Sequence, residues 1–481
     1  MTRGNRIPIA LVFIAAIALG LRLWMLHSYL PLSPWVAAQT LADAEMGRNL
    51  RAGRGWVANV EMLAKATAAN NARNEMVDLQ DLLPVDDSSP DLLINGGSAH
   101  SPGYSGWFAI SYWLGGAARY RYSQVMQATL DAFGCILLFG IGRSLWSARA
   151  GLAAAAIYAL WPAPAFLANL TVAAATDSFW FIAVAYGALT GWRQVEAGVT
   201  PWRGVTIVTL AAFGGACMNS TSFALPTAVA GVSVLAAIAC DRRAWKFCAY
   251  MITAQLLVGA LLTPWAFRNQ RMFGQFTPVR GSFWQLAFAA FGELPNPWGL
   301  GFDDKYYWNW IAENCPTCSA GEREALARKY IVGTVVMSRA FPRFAVALIE
   351  WRLPVLIEVM RVPLGRFNEG GSTAARNTLS GFLSVADTVA PTLMIFAAIG
   401  MFLVWRQPDK RTGLMIAMAP TLFLTTFSLF FYVELRKTLP GFAFLSVPAG
   451  IAVTSLGAGL RSATGRAWGG VSARWVARSS R

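Results

Sequence analysis

Apolar stretches of about twenty residues recur along this chain of 481 residues, and runs of that length suit a bilayer's hydrocarbon better than a soluble core. Backbone amides placed in hydrocarbon must be satisfied within a helix or around a closed barrel. These runs are continuous and lack the polar alternation of a barrel strand, so helices are expected. Spans are expected at 7 to 29, 122 to 142, 149 to 169, 173 to 192, 204 to 219, 222 to 240, 246 to 266, 385 to 405, 412 to 432 and 438 to 459. With 56% hydrophobic and 14% charged residues, composition points the same way. The expected fold class is all-α: a polytopic integral membrane protein of about ten transmembrane helices, with two large outer-face loops that contain juxtamembrane helices.

A net charge of +15 would suit nucleic acid, but the Lys and Arg excess sits in short loops and the tails, where it sets orientation. No nucleic-acid partner is expected. The positive-inside rule makes the loops around Arg143 and Arg149, Arg193 and Arg203, Arg242, Arg243 and Lys246, and Arg406, Lys410 and Arg411 cytoplasmic. The run from Ile7 to Tyr29 is too long for a signal peptide's apolar region and reads as a retained first span, which leaves both termini cytoplasmic. The expected organisation is a first helix at 1–29, a first outer loop at 30–121, a helix bundle at 122–266, a second outer loop at 267–384, C-terminal helices at 385–460 and a basic tail at 461–481. Gly106 to Gly116 is too short to fit the count, and Phe344 to Val362 is interrupted by Glu350, Arg352, Pro354 and Glu358; both read as interfacial or re-entrant, the charges being tolerated at headgroup level.

This topology places Asp43, Glu45, His100, Asp177, Arg268, Glu434 and Arg436 on one membrane face, with Asn269 beside Arg268. Carboxylates that take a proton from a hydroxyl, and guanidinium groups that grip phosphate, are what sugar transfer from a phospholipid carrier requires. Each residue also has a plainer reading. Arg268 suits an interface anchor that snorkels to water. Asp177, in Thr176-Asp177-Ser178, suits a helix N-cap. His100 precedes a Ser-Pro-Gly turn, and Glu434 with Arg436 suits a local ion pair. Arg22, inside the first apolar run, needs a carboxylate partner or the surface within reach. Cys315 and Cys318 suit a local disulfide. With two histidines zinc is disfavoured; no cofactor is assigned, and a hard divalent cation held by carboxylates stays open.

The chain resembles the multi-span glycosyltransferases of the GT-C fold, and is similar to the bacterial branch of lipopolysaccharide-core sugar, aminoarabinose and protein mannosyl transferases. The resemblance is carried by Gly20-Leu21-Arg22-Leu23, the stretch from Asp43 to Trp56, His100-Ser101-Pro102-Gly103-Tyr104, Gln127 to Gly151, Ala175-Thr176-Asp177, Pro264-Trp265-Ala266-Phe267-Arg268-Asn269, and Glu434-Leu435-Arg436 with Pro440. It implies a polyprenyl-phosphate sugar donor, a lipid, glycan or protein acceptor, a periplasmic active site in a bacterial inner membrane, and direct displacement with inversion. It also implies an acidic base, but the matching register falls on Gln39, so Asp43 is taken as base with Glu45 as the second choice. Arg268 and Arg436 are assigned to the donor phosphate, and His100, Asp177, Asn269 and Glu434 to substrate binding or orientation. Neither a dinucleotide fingerprint nor a phosphate-binding loop is present, which disfavours a soluble nucleotide sugar. The alternatives are a transporter or flippase of a lipid-linked sugar, disfavoured by the large loops and the lack of a visible repeat, and an outer-face glycan ligase or polymerase.

Overall fold

Residues 3–28, 34–73, 77–83, 93–95, 101–279, 283–302, 304–358, 373–431 and 435–459 are described by the computed structural model. The first apolar run forms α1 (Arg3–Ser28). A first connecting segment follows, with α2 (Pro34–Arg51), a strand β1 (Val57–Asn59), α3 (Val60–Arg73), a strand β2 (Leu93–Asn95) and α4 (Pro102–Gly115). The two strands pair antiparallel, Val57 opposite Asn95 and Asn59 opposite Leu93. Next come α5 (Tyr120–Leu145), α6 (Ala148–Leu160), α7 (Pro162–Leu167), α8 (Asp177–Glu196), α9 (Trp202–Met218), α10 (Leu225–Ala239) and α11 (Ala244–Phe273). A second connecting segment holds α12 (Phe283–Phe291), α13 (Asp304–Asn314), α14 (Ala320–Tyr330) and α15 (Phe341–Glu358). The last helices are α16 (Thr373–Trp405), α17 (Pro408–Phe430), α18 (Leu435–Phe442) and α19 at 446–459.

The chain is a multi-pass membrane protein, and part of the expected set of about ten spans is met by helices of full length. Among the described residues seven helices are long and apolar enough to cross a bilayer, or eight if one bent pair counts as a single span. Three expected spans fall outside the seven. The run 149–169 is cut where Trp161 turns extended (φ −73°, ψ 120°) and Pro162 opens a new short helix, because proline has no N–H to continue the ladder. The run 204–219 becomes α9, which has 17 residues. The run 173–192 becomes α8, whose 20 residues carry Asp177, Arg193 and Glu196.

Most of α8 is buried between neighbours in the apolar core that unites the bundle. Small residues bring it close to α9: a methyl group at Gly204 would collide with the backbone of Gly191. Close backbone approach of this kind drives helix association where lipid and protein are equally apolar. Outward positions such as Ile238 and Leu256, 73% and 68% exposed, are apolar as a lipid-facing surface requires.

Arg22 meets a carboxylate inside the bundle. Its Nε donates to Asp131 Oδ2 at 2.5 Å, its Nη1 donates to the carbonyls of Ala18 and Ala159, and Tyr158 donates to the other Asp131 oxygen at 2.5 Å. Arg22 and Asp131 are both within 1% of complete burial. The partner removes most of the penalty an isolated guanidinium would carry there.

The second connecting segment has a core of its own around Phe288, Phe291, Tyr307, Ala327 and Ile331. Ser319 and Glu322 form a reciprocal capping box at the start of α14, and Cys315 and Cys318 are joined as a disulfide. Beyond α14 a π-helical turn (Ile331–Val336) leads into α15, and the two arms are bent by 99°. The interrupting charges do not all face headgroups as expected: Glu350 is exposed, but Arg352 is buried. Arg352 donates to Glu293 Oε2 at 2.7 Å, to Ala290 O at 2.6 Å and to Leu429 O at 2.9 Å, which ties α12 and α15 to the last turn of α17. Burial pushes the Glu293 carboxyl up, against the lowering pull of Arg352.

Candidate functional site

The two acidic residues of α2 lie on different faces of the helix and meet different partners. Asp43 is 4% exposed and accepts a hydrogen bond from Ser105 Oγ at 2.9 Å. The contact follows from close helix packing, since a Cβ on Gly47, one turn further along α2, would press into Phe108 of α4. Glu45 is fully buried. Its carboxylate accepts from Arg48 Nε and Nη2 at 2.7 and 2.8 Å, from Asn49 Nδ2 at 2.8 Å and from the backbone N–H of Asn59 at 3.1 Å. Asn49 also donates to Val57 O and accepts from Arg54. The chain reverses through Gly53 and Gly55, at φ 77° and 88°, a backbone region that favours glycine. The stretch from Arg48 to Trp56 is therefore a turn built around Glu45, with Arg48 committed to that carboxylate.

Asp177 opens α8 and is reached from the end of α9. The N-terminus of α4 rests on the end of α9, where a Cβ on Gly103 would meet the backbone of Cys217. Two residues on, Asn219 Nδ2 donates to Asp177 Oδ2 at 2.6 Å. The expected N-cap role is not what the structure contains: Asp177 is the first residue of α8 rather than its cap, and Thr176 at the cap makes no side-chain capping bond. Asp177 is 2% exposed, and its Oδ1 has no hydrogen-bond partner among the described residues. A buried carboxylate oxygen left without a donor is what a polar ligand or water would satisfy. Thr40, one turn before Asp43, donates to the carbonyl of Thr171 and so fastens α2 to the strand of chain that leads into α8.

Arg268 occupies the last turns of α11. Its guanidinium lies over the Trp265 ring at 4.3 Å and near Phe273 at 5.4 Å, and its Nη1 donates to Asn269 Oδ1 at 3.2 Å. Asn269 is buried and donates to Thr277 O at 2.9 Å, closing the turn beyond Gly274 (φ 70°). Asn269 thus shapes the chain end behind Arg268. Trp56 links this corner to the first connecting segment: its ring meets Trp265 at 5.4 Å and its Nε1 donates to Pro102 O at 3.4 Å.

His100 and Glu434 lie outside the described residues, and so does the side chain of Arg436, whose backbone belongs to α18. Among the described residues no three His, Cys, Asp or Glu side chains converge to hold a metal ion. Sequence reading missed Ser105, Asn219 and Trp56 as partners: they are ordinary residue types, and only packing brings them beside Asp43, Asp177 and Trp265.

The described helices form a GT-C-like fold. The archaeal oligosaccharyltransferase AglB from Archaeoglobus fulgidus, solved with an inhibitory peptide and a dolichol-phosphate, superposes with a TM-score of 0.51 at 12% identity, over 97% of this chain and 52% of AglB. The same enzyme solved with Zn and sulfate gives 0.50 at 13% identity, over 94% and 49%. The chain therefore spans about half the length of the oligosaccharyltransferase it resembles. ArnT from Cupriavidus metallidurans bound to undecaprenyl phosphate gives 0.37 at 14% identity, over 90% of this chain and 77% of ArnT. No protein-family model and no characterised protein sequence matches the chain.

Proposed function

We propose that this protein is a membrane glycosyltransferase that moves a sugar from a polyprenyl-phosphate-linked donor to an acceptor hydroxyl at the periplasmic face, with inversion at the anomeric carbon. The observation that carries the reading is a buried carboxylate, Asp43, held by Ser105 on a GT-C-like frame, with a second buried carboxylate, Asp177, fastened through Asn219 to the same helix junction. The dolichol-phosphate in AglB is the basis for the donor class. A lipid donor diffuses laterally to such a site with its tail among the helices.

Asp43 is the base in this reading. The carboxylate of Glu45 is engaged by Arg48, Asn49 and Asn59, and spending it on proton transfer would undo the turn that follows α2. Asp43 takes the proton of the acceptor hydroxyl as its oxygen attacks the anomeric carbon, and the bond to the donor phosphate breaks. Arg268, with Arg436 from α18, stabilises the departing phosphate. The orphan oxygen of Asp177 receives an acceptor or sugar hydroxyl, or is one ligand of a divalent cation, as the Zn in AglB suggests. The bacterial inner membrane as location, with both termini cytoplasmic, belongs to the same proposal.

The test is transfer of radiolabelled sugar from a panel of polyprenyl-phosphate sugars to membrane extracts, with wild type beside Arg268→Ala and Asp43→Asn. Turnover in the wild type that both variants lose supports the reading. Saturable lipid binding without turnover for any donor would move the assignment to a carrier or flippase.

A further inference from the structure

Two indoles beside Arg268 have no part in the scheme so far. Trp56 comes from the turn after α2 and Trp265 from α11, and their rings meet at 5.4 Å with an interplanar angle of 64°. Rings inclined in this way form a corner. One wall carries the Arg268 guanidinium, 4.3 Å from the Trp265 centroid. The other wall, Trp56, is 38% exposed although its N–H is fixed on the carbonyl of Pro102. The Trp265 N–H is buried and has no acceptor among the described residues.

A membrane-belt tryptophan would turn its N–H toward water or headgroups. Here one N–H is consumed by the protein and the other is buried, so solvent anchoring accounts for neither ring. A partly exposed indole, an orphan donor and a guanidinium stacked on the second indole together suit an amphipathic ring that carries hydroxyl groups and is attached to a phosphate. Such a ring has apolar C–H faces for stacking and oxygen atoms for the orphan N–H.

We infer that Trp56 and Trp265 form a stacking subsite for the sugar ring of the lipid-phosphate donor, with Arg268 on the phosphate and Trp56 setting the preference for a glycosylated over a bare lipid phosphate. This rests on the transferase reading and specifies the donor side of its site. It places the sugar between the first connecting segment and α11, two parts of the chain about two hundred residues apart.

The experiment measures binding of radiolabelled polyprenyl phosphate and of the same lipid carrying its sugar, using the full chain in nanodiscs. Wild type binds the glycosylated lipid more tightly. Trp56→Leu loses that preference by about tenfold or more while affinity for the bare lipid stays within about twofold, and Trp56→Phe keeps it, because what is lost is a site-specific contact rather than the phosphate grip. Arg268→Ala weakens both lipids. A second measurement uses wild type alone: glycosylated lipid shields Trp56 from oxidation by N-bromosuccinimide, read by mass spectrometry, and bare lipid does not. Retained preference in Trp56→Leu, an equal fall for both lipids, or equal shielding by both overturns the subsite while leaving the transferase intact. Wild type that binds neither lipid saturably overturns the transferase reading, and the subsite with it.

Discussion

Asp43 and Glu45 are separated by two positions on a helix that turns about 100° per residue, so they point to nearly opposite faces. Glu45 faces the turn it stabilises and Asp43 faces α4, where the chemistry is proposed. Asp43→Asn is expected to lower turnover by on the order of 10²–10⁴-fold, the range for loss of a general base, with little change in unfolding temperature. Glu45→Ala removes the buried carboxylate that Arg48, Asn49 and the Asn59 amide share and is expected to cost about 3–5 kcal/mol of stability. Turnover and thermal unfolding of both variants separate the roles; a reversed pattern would exchange them. The acidic pair was visible in the sequence, but the choice between its members was not, because Ser105 and Asn59 reach α2 only through packing. Asp177 was legible as a polar residue at a helix start, whereas nothing in the sequence paired it with Asn219.

At the scale of elements, Arg352 fixes how the second connecting segment sits on the bundle. It serves a carboxylate and two carbonyls from a planar fork, which lysine cannot reproduce. Arg352→Lys is therefore expected to raise hydrogen exchange over 283–291 and 427–430, the two elements it joins, nearly as much as Arg352→Met. Protection in the lysine variant equal to wild type would contradict this. In the first connecting segment, burial pushes the Asp78 carboxyl up, against the lowering effects of the Tyr120 N–H and of Arg119. A carboxyl raised on folding adds stability that is full below its unfolded value, about 3.9, and fades as pH climbs through the raised folded value. Protection of 77–83 should decline across that window on the alkaline side, and Asp78→Asn, which keeps an acceptor for Tyr120, should flatten the decline. The interruption of 344–362 by charges was legible as a departure from a simple span; the burial of Arg352 was not, because Glu293, Ala290 and Leu429 are distant in sequence.

For the whole molecule, hydropathy revealed the all-α membrane class, since every backbone amide in hydrocarbon demands an internal partner. It did not show the breaks through which apolar character continues. From Ala148 to Leu167 the residues are almost uniformly apolar, yet the chain turns at Trp161. The polar pair that accompanies this break gives a whole-bundle prediction. Arg22→Met alone strands the Asp131 carboxylate in the core and should destabilise the protein by several kcal/mol, whereas Arg22→Met with Asp131→Leu should recover a large part of the loss, measured by thermal unfolding in lipid. A double variant no better than the single one would mean that the arginine's carbonyl contacts outweigh the charge pair.

One of those carbonyl contacts, to Ala159, links α1 to the break between α6 and α7. In an uninterrupted helix the Ala159 oxygen would receive the amide of Ala163, but with the turn at Trp161 it is met by Arg22 from another helix. Asn169 closes the other side of the gap, donating to Ala165 O and to the backbone oxygen of Arg22 itself. The fracture in one helix is splinted by a side chain from another, so the proline at 162 and the arginine at 22 form a single unit of inheritance. Related chains that restore a continuous helix at this point should be free to replace the arginine with an aliphatic residue, and those that keep the fracture should not.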